Sequence, residues 1–347
     1  MVKKVSAYVG TYTNGESKGI YKFTLDIHSG KMKNVEVAVE VDNPTYLTIT
    51  SDQQYLYSVM KKDSEGGVGA YAINPDGQLA LLNYKVADGS PPCHVSVNAN
   101  NDYLFSANYH LGTGIAYQLS NNGEISTITS TVEHTGNGPH ERQEKPHAHY
   151  AGLTPDEKFL CVVDLGTDEM GVYAVNNGNL SKHHVQTFKP GTGPRHIQFH
   201  PNETFAYVNG ELSSEIIALH YDSATGTFNE VQSISSLPSQ FDGESIGGAI
   251  KISADGNYLY ASNRGHDSIA VFKINSESGT LSLIEHVSTK GSFPRDFTID
   301  PTGTYLLVAN QNTSNIVQYS IDAAAGTLQP TGMEISVPNP VCVVFLP

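Results

Sequence analysis

Hydrophobic and polar residues alternate along most of the chain, in short runs that are separated by polar turns. The segment PTYLTITSDQQYLYSVMK (44–61) contains an alternating run, a polar turn and a second run that is rich in aromatic residues. Alternation with a period of two predicts β-strands that bury one face. The chain is therefore predicted to consist of short strands joined by tight turns.

This strand–turn–strand pattern occurs six times and begins a seventh time near the C-terminus. Each unit begins at a proline or a small residue, and these anchors are Pro44, Pro92, Ala148, Pro194, Gly247, Pro294 and Pro340. The anchors are 46 to 56 residues apart, and a third and often a fourth strand follow each pair. A repeat of this length with four strands is typical of β-propellers. The sequence contains no Trp, which excludes the WD signature of a WD40 array.

The two ends of the chain are predicted to share one blade. The segment VCVVFLP (341–347) matches only the first strand of a repeat, whereas the N-terminal run that begins with VSAYVGTYT (5–13) matches the strands that follow. Pairing these two segments would close the ring and remove its open sheet edges. We therefore predict an all-β fold, a seven-bladed β-propeller with four-stranded blades, that forms a single domain over residues 1–347.

Charge and composition narrow the range of partners. A net charge of −15 argues against binding to nucleic acid or to an anionic membrane surface. The N-terminal segment has no apolar region of secretory length, and no apolar run reaches the roughly 18–20 residues that cross a bilayer. Three scattered cysteines fit reduced thiols. We predict a cytoplasmic protein that is a monomer, because a closed ring has no edge that requires a partner.

Aligning the repeats predicts which side chains meet at one mouth of the central channel. The first strand of each propeller blade lines this channel, so the informative positions are the residue after each anchor and the end of the second strand. The first column contains Thr45, Cys93, His149, Arg195, Gly248, Arg295 and Val341. The second column contains Tyr12, Lys61, Tyr109, Leu165, Glu211, Arg264 and Gln311. In an acidic protein with only 20 Lys and Arg, these columns predict a local positive cluster around one carboxylate.

The longest interval between anchors contains an insertion, EHTGNGPHERQEKPHAH (133–149). Insertions in repeat proteins map to loops on one face, often the binding face, so we expect Arg142 and His147 to approach the same mouth. The interval with SSLPSQFDGESIGG (235–248) supplies a second candidate loop. A His-x-His pair can bind a metal ion, but neighbouring arginines repel a cation. We predict neither a metal site nor a cofactor.

Six stretches resemble the propeller-type lactonase family over essentially the whole chain and in the family's order. They are YVGTYT, KPHAH, GTGPRH, NGELSSEI, SNRGHDSIAVF and FPRDFTIDPTG. The resemblance implies an active site made of a histidine, a glutamate and two arginines, at His149 (or His147), Glu211, Arg195 and Arg264. His149, Glu211, Arg195 and Arg264 are also positions that the alignment of the repeats selects.

Opening a lactone requires an activated water, stabilisation of the oxyanion and protonation of the leaving alkoxide. Either Glu211 or His149 can serve as the base once its pKa is tuned. Flanking arginines would keep Glu211 ionised and weaken it as a base. This favours His149 as the acid–base group and Glu211 either as its orienter or as a partner of the arginines. Arginine side chains can stabilise the oxyanion and bind an anionic group bidentately.

The expected substrate is a small anionic sugar lactone, and the residues predicted to contact it are His147, Arg295, Arg142 and Tyr109. The resemblance implies hydrolysis of 6-phosphogluconolactone in the oxidative pentose phosphate route. Two alternatives remain open: a cycloisomerase or sugar-acid lactonase that uses no phosphate, and a non-catalytic binding propeller. A binding platform would present a broad apolar face, whereas the predicted mouth is small and charged, which counts against the last alternative.

Overall fold

The computed structural model describes residues 4–346, and in these residues every sheet is four-stranded and antiparallel. The first three residues and Pro347, which belong to the predicted domain, lie outside the described part. Strands in chain order are β1 (Lys4–Thr11), β2 (Gly19–Asp26), β3 (Met32–Glu40), β4 (Leu47–Ile49), β5 (Tyr55–Lys62), β6 (Glu65–Ile73), β7 (Leu79–Asp88), β8 (His94–Val97), β9 (Tyr103–Asn108), β10 (Thr113–Leu119), β11 (Ile125–Glu133), β12 (Ala148–Leu153), β13 (Phe159–Asp164) and β14 (Glu169–Asn176).

The remaining strands are β15 (Asn179–Thr187), β16 (Pro194–Phe199), β17 (Phe205–Gly210), β18 (Glu215–Asp222), β19 (Thr227–Ser235), β20 (Ile246–Ile252), β21 (Tyr258–Arg264), β22 (Ser268–Ile274), β23 (Leu281–Ser288), β24 (Pro294–Ile299), β25 (Tyr305–Asn310), β26 (Asn315–Ile321), β27 (Leu328–Ser336) and β28 (Pro340–Phe345). A single turn of 3₁₀ helix, Glu141–Gln143, lies in the insertion. No helix in residues 4–346 is long and apolar enough to span a membrane.

The strands form seven blades, and their order around the ring follows the chain. Blades 1 to 6 are β4–β7, β8–β11, β12–β15, β16–β19, β20–β23 and β24–β27, and blade 7 has the order β28-β1-β2-β3. The innermost strand of each blade contacts that of the next, and β28 contacts β4, which completes the circle. The predicted seven-bladed β-propeller is confirmed.

Blade 7 closes the ring by the predicted pairing of the two chain ends. Gly10 in β1 lies opposite Cys342 in β28, and Tyr8 lies opposite Val344. The pairing satisfies backbone groups that would otherwise form two open sheet edges.

The hydrophobic core lies in layers between neighbouring blades, where the buried face of each alternating strand meets the next sheet. Four tyrosines in second strands also bond to the adjacent blade through their hydroxyl groups, which donate to glycine carbonyls in the outer turns. These pairs are Tyr8–Gly77, Tyr57–Gly123, Tyr207–Gly279 and Tyr260–Gly326, at 2.9 to 3.0 Å. The same residue type therefore fills the core and ties neighbouring blades together.

Candidate active site

A one-residue β-bulge lies near the start of the first strand of blades 3, 4 and 6. In each blade, the pairing with the second strand skips the residue after the anchor. The skipped residues are His149, Arg195 and Arg295. A bulge changes the direction of a side chain relative to the strict alternation of a strand. The charged residues of the first predicted column are therefore presented by irregular backbone at the mouth of the channel.

The mouth of the channel is a cavity of about 760 Å³. Nine residues of the two predicted columns line it: Thr45, Cys93, His149 and Arg295 from the first, and Tyr12, Lys61, Tyr109, Glu211 and Arg264 from the second. The two columns thus meet at one end of the channel, as the alignment of the repeats predicts. Arg195 does not line this cavity, but it contacts Glu211 from a buried position.

Glu211 is buried at the base of this cavity and is bound by three arginines. Its Oε1 atom accepts a hydrogen bond from Nη2 of Arg142 at 2.5 Å. Its Oε2 atom accepts from Nε of Arg195 at 3.0 Å and lies 2.7 Å from Nη2 of Arg264. Burial alone would raise the pKa of Glu211, but the arginine charges outweigh it and hold this pKa well below its usual range. Glu211 is therefore ionised at neutral pH.

These contacts distinguish between the two roles that the sequence left open for Glu211. Both of its carboxylate oxygens are occupied by guanidinium groups, and no hydrogen bond joins it to His149 in the described part of the chain. The geometry is that of a partner of the arginines and not that of an orienter of the histidine.

Two glycine carbonyls of blade 5 hold the buried arginines in place. Arg264 donates to the carbonyl of Gly247 from Nε at 3.1 Å and from Nη2 at 2.5 Å, and Arg195 donates to that of Gly248 from Nη1 at 2.7 Å. A Cβ on Gly248 would overlap the Ser262 hydroxyl and lie 2.7 Å from the carbonyl oxygen of Pro294. At the position after the anchor, blade 5 therefore contributes a backbone carbonyl, whereas blades 3, 4 and 6 contribute ionisable side chains.

Replacing Gly248 with alanine is expected to lower the free energy of unfolding by about 1–3 kcal/mol, the usual cost of forcing extra volume into a packed site. The methyl group would push strand β20 away from its neighbours and displace the carbonyl that binds Arg195. Urea unfolding of the variant and the wild type would measure the change. Equal stability would show that the backbone yields there at no cost.

His149 lines the cavity and is only 4% exposed. Burial, followed by the charge of Arg195, lowers the pKa of its imidazole well below the usual value, so the ring is neutral at neutral pH. Its Nδ1 atom is buried and has no hydrogen-bond partner in residues 4–346. A neutral imidazole that lines the cavity can accept a proton from a water bound there.

His147, for which the sequence predicts a substrate contact, is not among the described residues that line the cavity. Its ring stacks on Tyr109 at 4.1 Å between centroids, Nδ1 lies 2.8 Å from the Tyr109 carbonyl oxygen, and Nε2 lies 3.2 Å from Glu144. Both ring nitrogens thus have protein partners. His147 supports Tyr109, which lines the cavity together with His149.

The insertion reaches the cavity through Arg142, as predicted. The 3₁₀ turn that carries it is capped by His140, and the buried Gln143 ties it to blade 3 by donating from Nε2 to the Leu165 carbonyl at 2.8 Å. Arg142, for which the sequence predicts a substrate contact, lines the cavity and is bound to Glu211. Sequence reasoning also missed the carbonyls of Gly247 and Gly248.

Below the cavity, the channel is filled by a layer of aromatic rings. The ring of His94 lies 4.3 Å from those of Tyr46 and Tyr150, and the ring of His196 lies 5.1 Å from that of His149. Burial lowers the pKa values of His94 and His196 well below the usual value. The charged cluster therefore lies on a floor of neutral, buried rings.

The described residues contain no group of three or more His, Cys, Asp or Glu side chains arranged to hold a metal ion. Of the carboxylates in residues 4–346, Glu211 alone lines the cavity, and it is occupied by arginines. Positive charge and hydrogen-bond donors dominate this surface, and such a surface suits an anionic, oxygen-rich ligand.

Comparison with known proteins gives a consistent result. Residues 6–345 match the family model described as lactonase, 7-bladed beta-propeller. The chain is 46% identical over 344 residues to the 6-phosphogluconolactonase of Bacillus subtilis, and this match covers 99% of both chains. A crystal structure of a Lactobacillus plantarum protein is 41% identical, with a TM-score of 0.96 over 99% of this chain and 100% of the other. The structure of a periplasmic gluconolactonase from Pseudomonas aeruginosa is 30% identical, with a TM-score of 0.94 over 99% of each chain.

Proposed function

This chain belongs to the lactonase family of seven-bladed β-propellers, and on that premise we propose that it is a lactone hydrolase whose substrate is 6-phosphogluconolactone. The observation that carries the proposal is the cavity lined by the neutral His149 and by an ionised glutamate that three arginines bind. This arrangement supplies a base, cationic stabilisation of an oxyanion and attraction for an anionic substrate. The relative named 6-phosphogluconolactonase supports the choice of lactone.

In the proposed mechanism, His149 accepts a proton from a water molecule as the water oxygen attacks the lactone carbonyl carbon. The tetrahedral intermediate carries its negative charge on the former carbonyl oxygen. When the ring C–O bond breaks, the protonated His149 returns the proton to the leaving alkoxide. The products are a free hydroxyl group and a carboxylic acid, which ionises in water.

Arg264 is the arginine that we assign to the oxyanion. It lines the cavity, and two of its nitrogens are fixed by Glu211 and the Gly247 carbonyl, so the guanidinium is pre-oriented. Burial lowers the pKa of Arg264 to about 9, although the charge of Glu211 acts in the opposite direction. Arg264 is therefore protonated at neutral pH. A fixed cation of this kind stabilises developing charge with little reorganisation. Arg195 binds Glu211 from a buried position, and the charge of Glu211 compensates the charges of the arginines.

A second candidate substrate is the unphosphorylated gluconolactone. The name of the Pseudomonas aeruginosa relative, periplasmic gluconolactonase, supports this candidate. We also propose that the protein is a cytoplasmic monomer. Within the main proposal, the reaction belongs to the oxidative pentose phosphate route.

The test is hydrolysis of freshly generated 6-phosphogluconolactone and of gluconolactone by the purified protein, after spontaneous opening is subtracted. We expect turnover well above background, with a higher kcat/KM for the phosphorylated lactone. A higher value for gluconolactone would favour the second candidate. Background rates on both substrates would overturn the proposed hydrolase.

Replacing His149 with glutamine is expected to lower kcat about 100-fold or more, within the usual contribution of a general base. Because the pKa of His149 is lowered well below 6.5, the wild-type kcat/KM is expected to stay level from neutral pH downward until the pH is well under 6.5. The acid limb of the profile should disappear in the variant. An acid limb centred at pH 6.5 or above would assign the proton transfer to another group.

A further inference from the structure

The residue before the anchor has a left-handed backbone conformation in four blades. The residues and their φ angles are Asn43 (48°), Gly193 (57°), Phe293 (63°) and Asn339 (44°). Glycine and asparagine adopt this conformation readily, whereas a bulky side chain makes it an outlier. Among the described residues, Phe293 is the one aromatic residue with a positive φ. Blade 6 thus keeps a strained residue where three other blades have residues suited to the turn.

The backbone contacts of Phe293 do not explain the aromatic side chain. Its amide donates to Oδ1 of Asp267 at 2.8 Å, and its carbonyl accepts from the amide of Gln311 at 3.0 Å. Asparagine or glycine at this position could make the same bonds. The half-buried ring, in contrast, lines the cavity, and its centroid lies 5.3 Å from the guanidinium carbon of Arg264. Strain that persists with a side chain facing a cavity points to a role in that cavity.

Arg295 lies two residues further along the chain and lines the same cavity. Within residues 4–346, its side chain makes no ion pair and no hydrogen bond, and its guanidinium carbon lies 5.4 Å from the centroid of the Tyr12 ring. The other three arginines of the site are bound to Glu211. Arg295 therefore presents a guanidinium whose donors are available to a ligand.

We propose that Phe293 and Arg295 form a substrate-recognition subsite on blade 6, in which the ring of a sugar lactone lies against Phe293 and its phosphate pairs with Arg295. The proposal rests on the proposed function and names the part of the cavity that selects a phosphorylated substrate. The C–H face of a sugar ring packs on an aromatic surface. A guanidinium matches the oxygens of a phosphate bidentately. Blades 3 to 5 then supply the chemistry and blade 6 the recognition.

Replacing Arg295 with glutamine is expected to raise KM for 6-phosphogluconolactone about ten-fold or more, as the loss of one charge-assisted contact implies. The KM for gluconolactone should change less than about two-fold, because this substrate has no phosphate to lose. Lys273→Gln, which removes one exposed charge from neighbouring blade 5 outside the cavity, is the matched control for long-range attraction. Equal effects on both lactones, or no effect on either, would overturn the subsite.

Replacing Phe293 with asparagine, the residue at positions 43 and 339, separates recognition from folding. We expect an unchanged or higher melting temperature, since the strain is relieved, together with KM values for both lactones raised about ten-fold. Phe293→Tyr should keep the wild-type KM. A lower melting temperature with unchanged KM would show that the ring only supports the fold, and would remove Phe293 from the proposal.

Binding of the product tests the subsite without any turnover. Titration calorimetry with 6-phosphogluconate and with gluconate should show tighter binding of the phosphorylated acid to the wild type, and this preference should disappear in Arg295→Gln. Loss of the preference supports the subsite even if the wild type hydrolyses neither lactone, in which case only the proposed hydrolase fails. Equal 6-phosphogluconate affinities in wild type and variant, or no binding to the wild type, would overturn the subsite.

Discussion

Replacing Glu211 with glutamine is expected to lower the free energy of unfolding by about 3–5 kcal/mol, the usual cost of removing one partner of a buried ion pair. The same substitution is expected to lower kcat/KM for the lactone at least about 100-fold. The substitution removes the one carboxylate that compensates three guanidinium groups. Two of these, on Arg195 and Arg264, are only 3% exposed, so water can replace little of the lost compensation. Their mutual repulsion would displace the arginine that we assign to the oxyanion.

Urea unfolding and steady-state kinetics on the purified variant would measure both effects. Glu230→Gln is a matched control, because it removes an exposed carboxylate from the outer strand β19 of the same blade. The control should differ from wild type by less than about 0.5 kcal/mol. A Glu211 variant with wild-type stability would mean that the arginines are compensated by other groups.

Mild acid is expected to destabilise the protein strongly, beginning below pH 6.5. Burial lowers the pKa values of His94, His149 and His196 well below 6.5 in the fold. Between 6.5 and these lowered values, the unfolded chain binds protons that the native state does not, so stability falls as the pH falls. Each such histidine contributes about 1.4 kcal/mol per pH unit, and three together contribute roughly 4 kcal/mol per pH unit.

Glu211 acts in a lower pH range. Its pKa is lowered in the fold from an ordinary value of 4.5, so its contribution to stability is complete above pH 4.5 and is lost as the pH falls through the lowered value. Urea unfolding at pH 7.5, 6.5 and 5.5 therefore isolates the histidines. His196→Phe should reduce the slope by about 1.4 kcal/mol per pH unit. Equal stability at pH 7.5 and 5.5 would show that these rings are protonated in the folded protein.

The fold was predictable because its information is local and repeated. Each blade contains its own alternating strands and turns, and six copies of one pattern make the period visible even where single strands are ambiguous. Ring closure followed from the incomplete repeat at each end. The positions of Glu211 and Arg264 were predictable for the same reason, since the end of the second strand occupies an equivalent place in each blade.

The details of the site were less predictable because they depend on irregular backbone. A β-bulge at His149 presents its ring to the cavity, whereas the ring of His147 stacks on Tyr109. The contact of Arg142 with Glu211 joins residues that are 69 positions apart and depends on the conformation of an insertion that no other blade shares. The sequence pattern does not single out Phe293, which the structure distinguishes by its φ angle and its position in the cavity.

The pairing of Gly10 with Cys342 also bears on how fast the protein folds. Strands within blades 1 to 6 pair with close neighbours in the chain, so each of these hairpins closes a short loop at low entropic cost. Blade 7 requires two segments at opposite ends of the chain to meet, which is the slowest kind of contact to form. We therefore expect refolding after dilution from denaturant to pass through an open arc of blades in which β4 and β24 are exposed. The pairing of β28 with β1 is then the rate-limiting step.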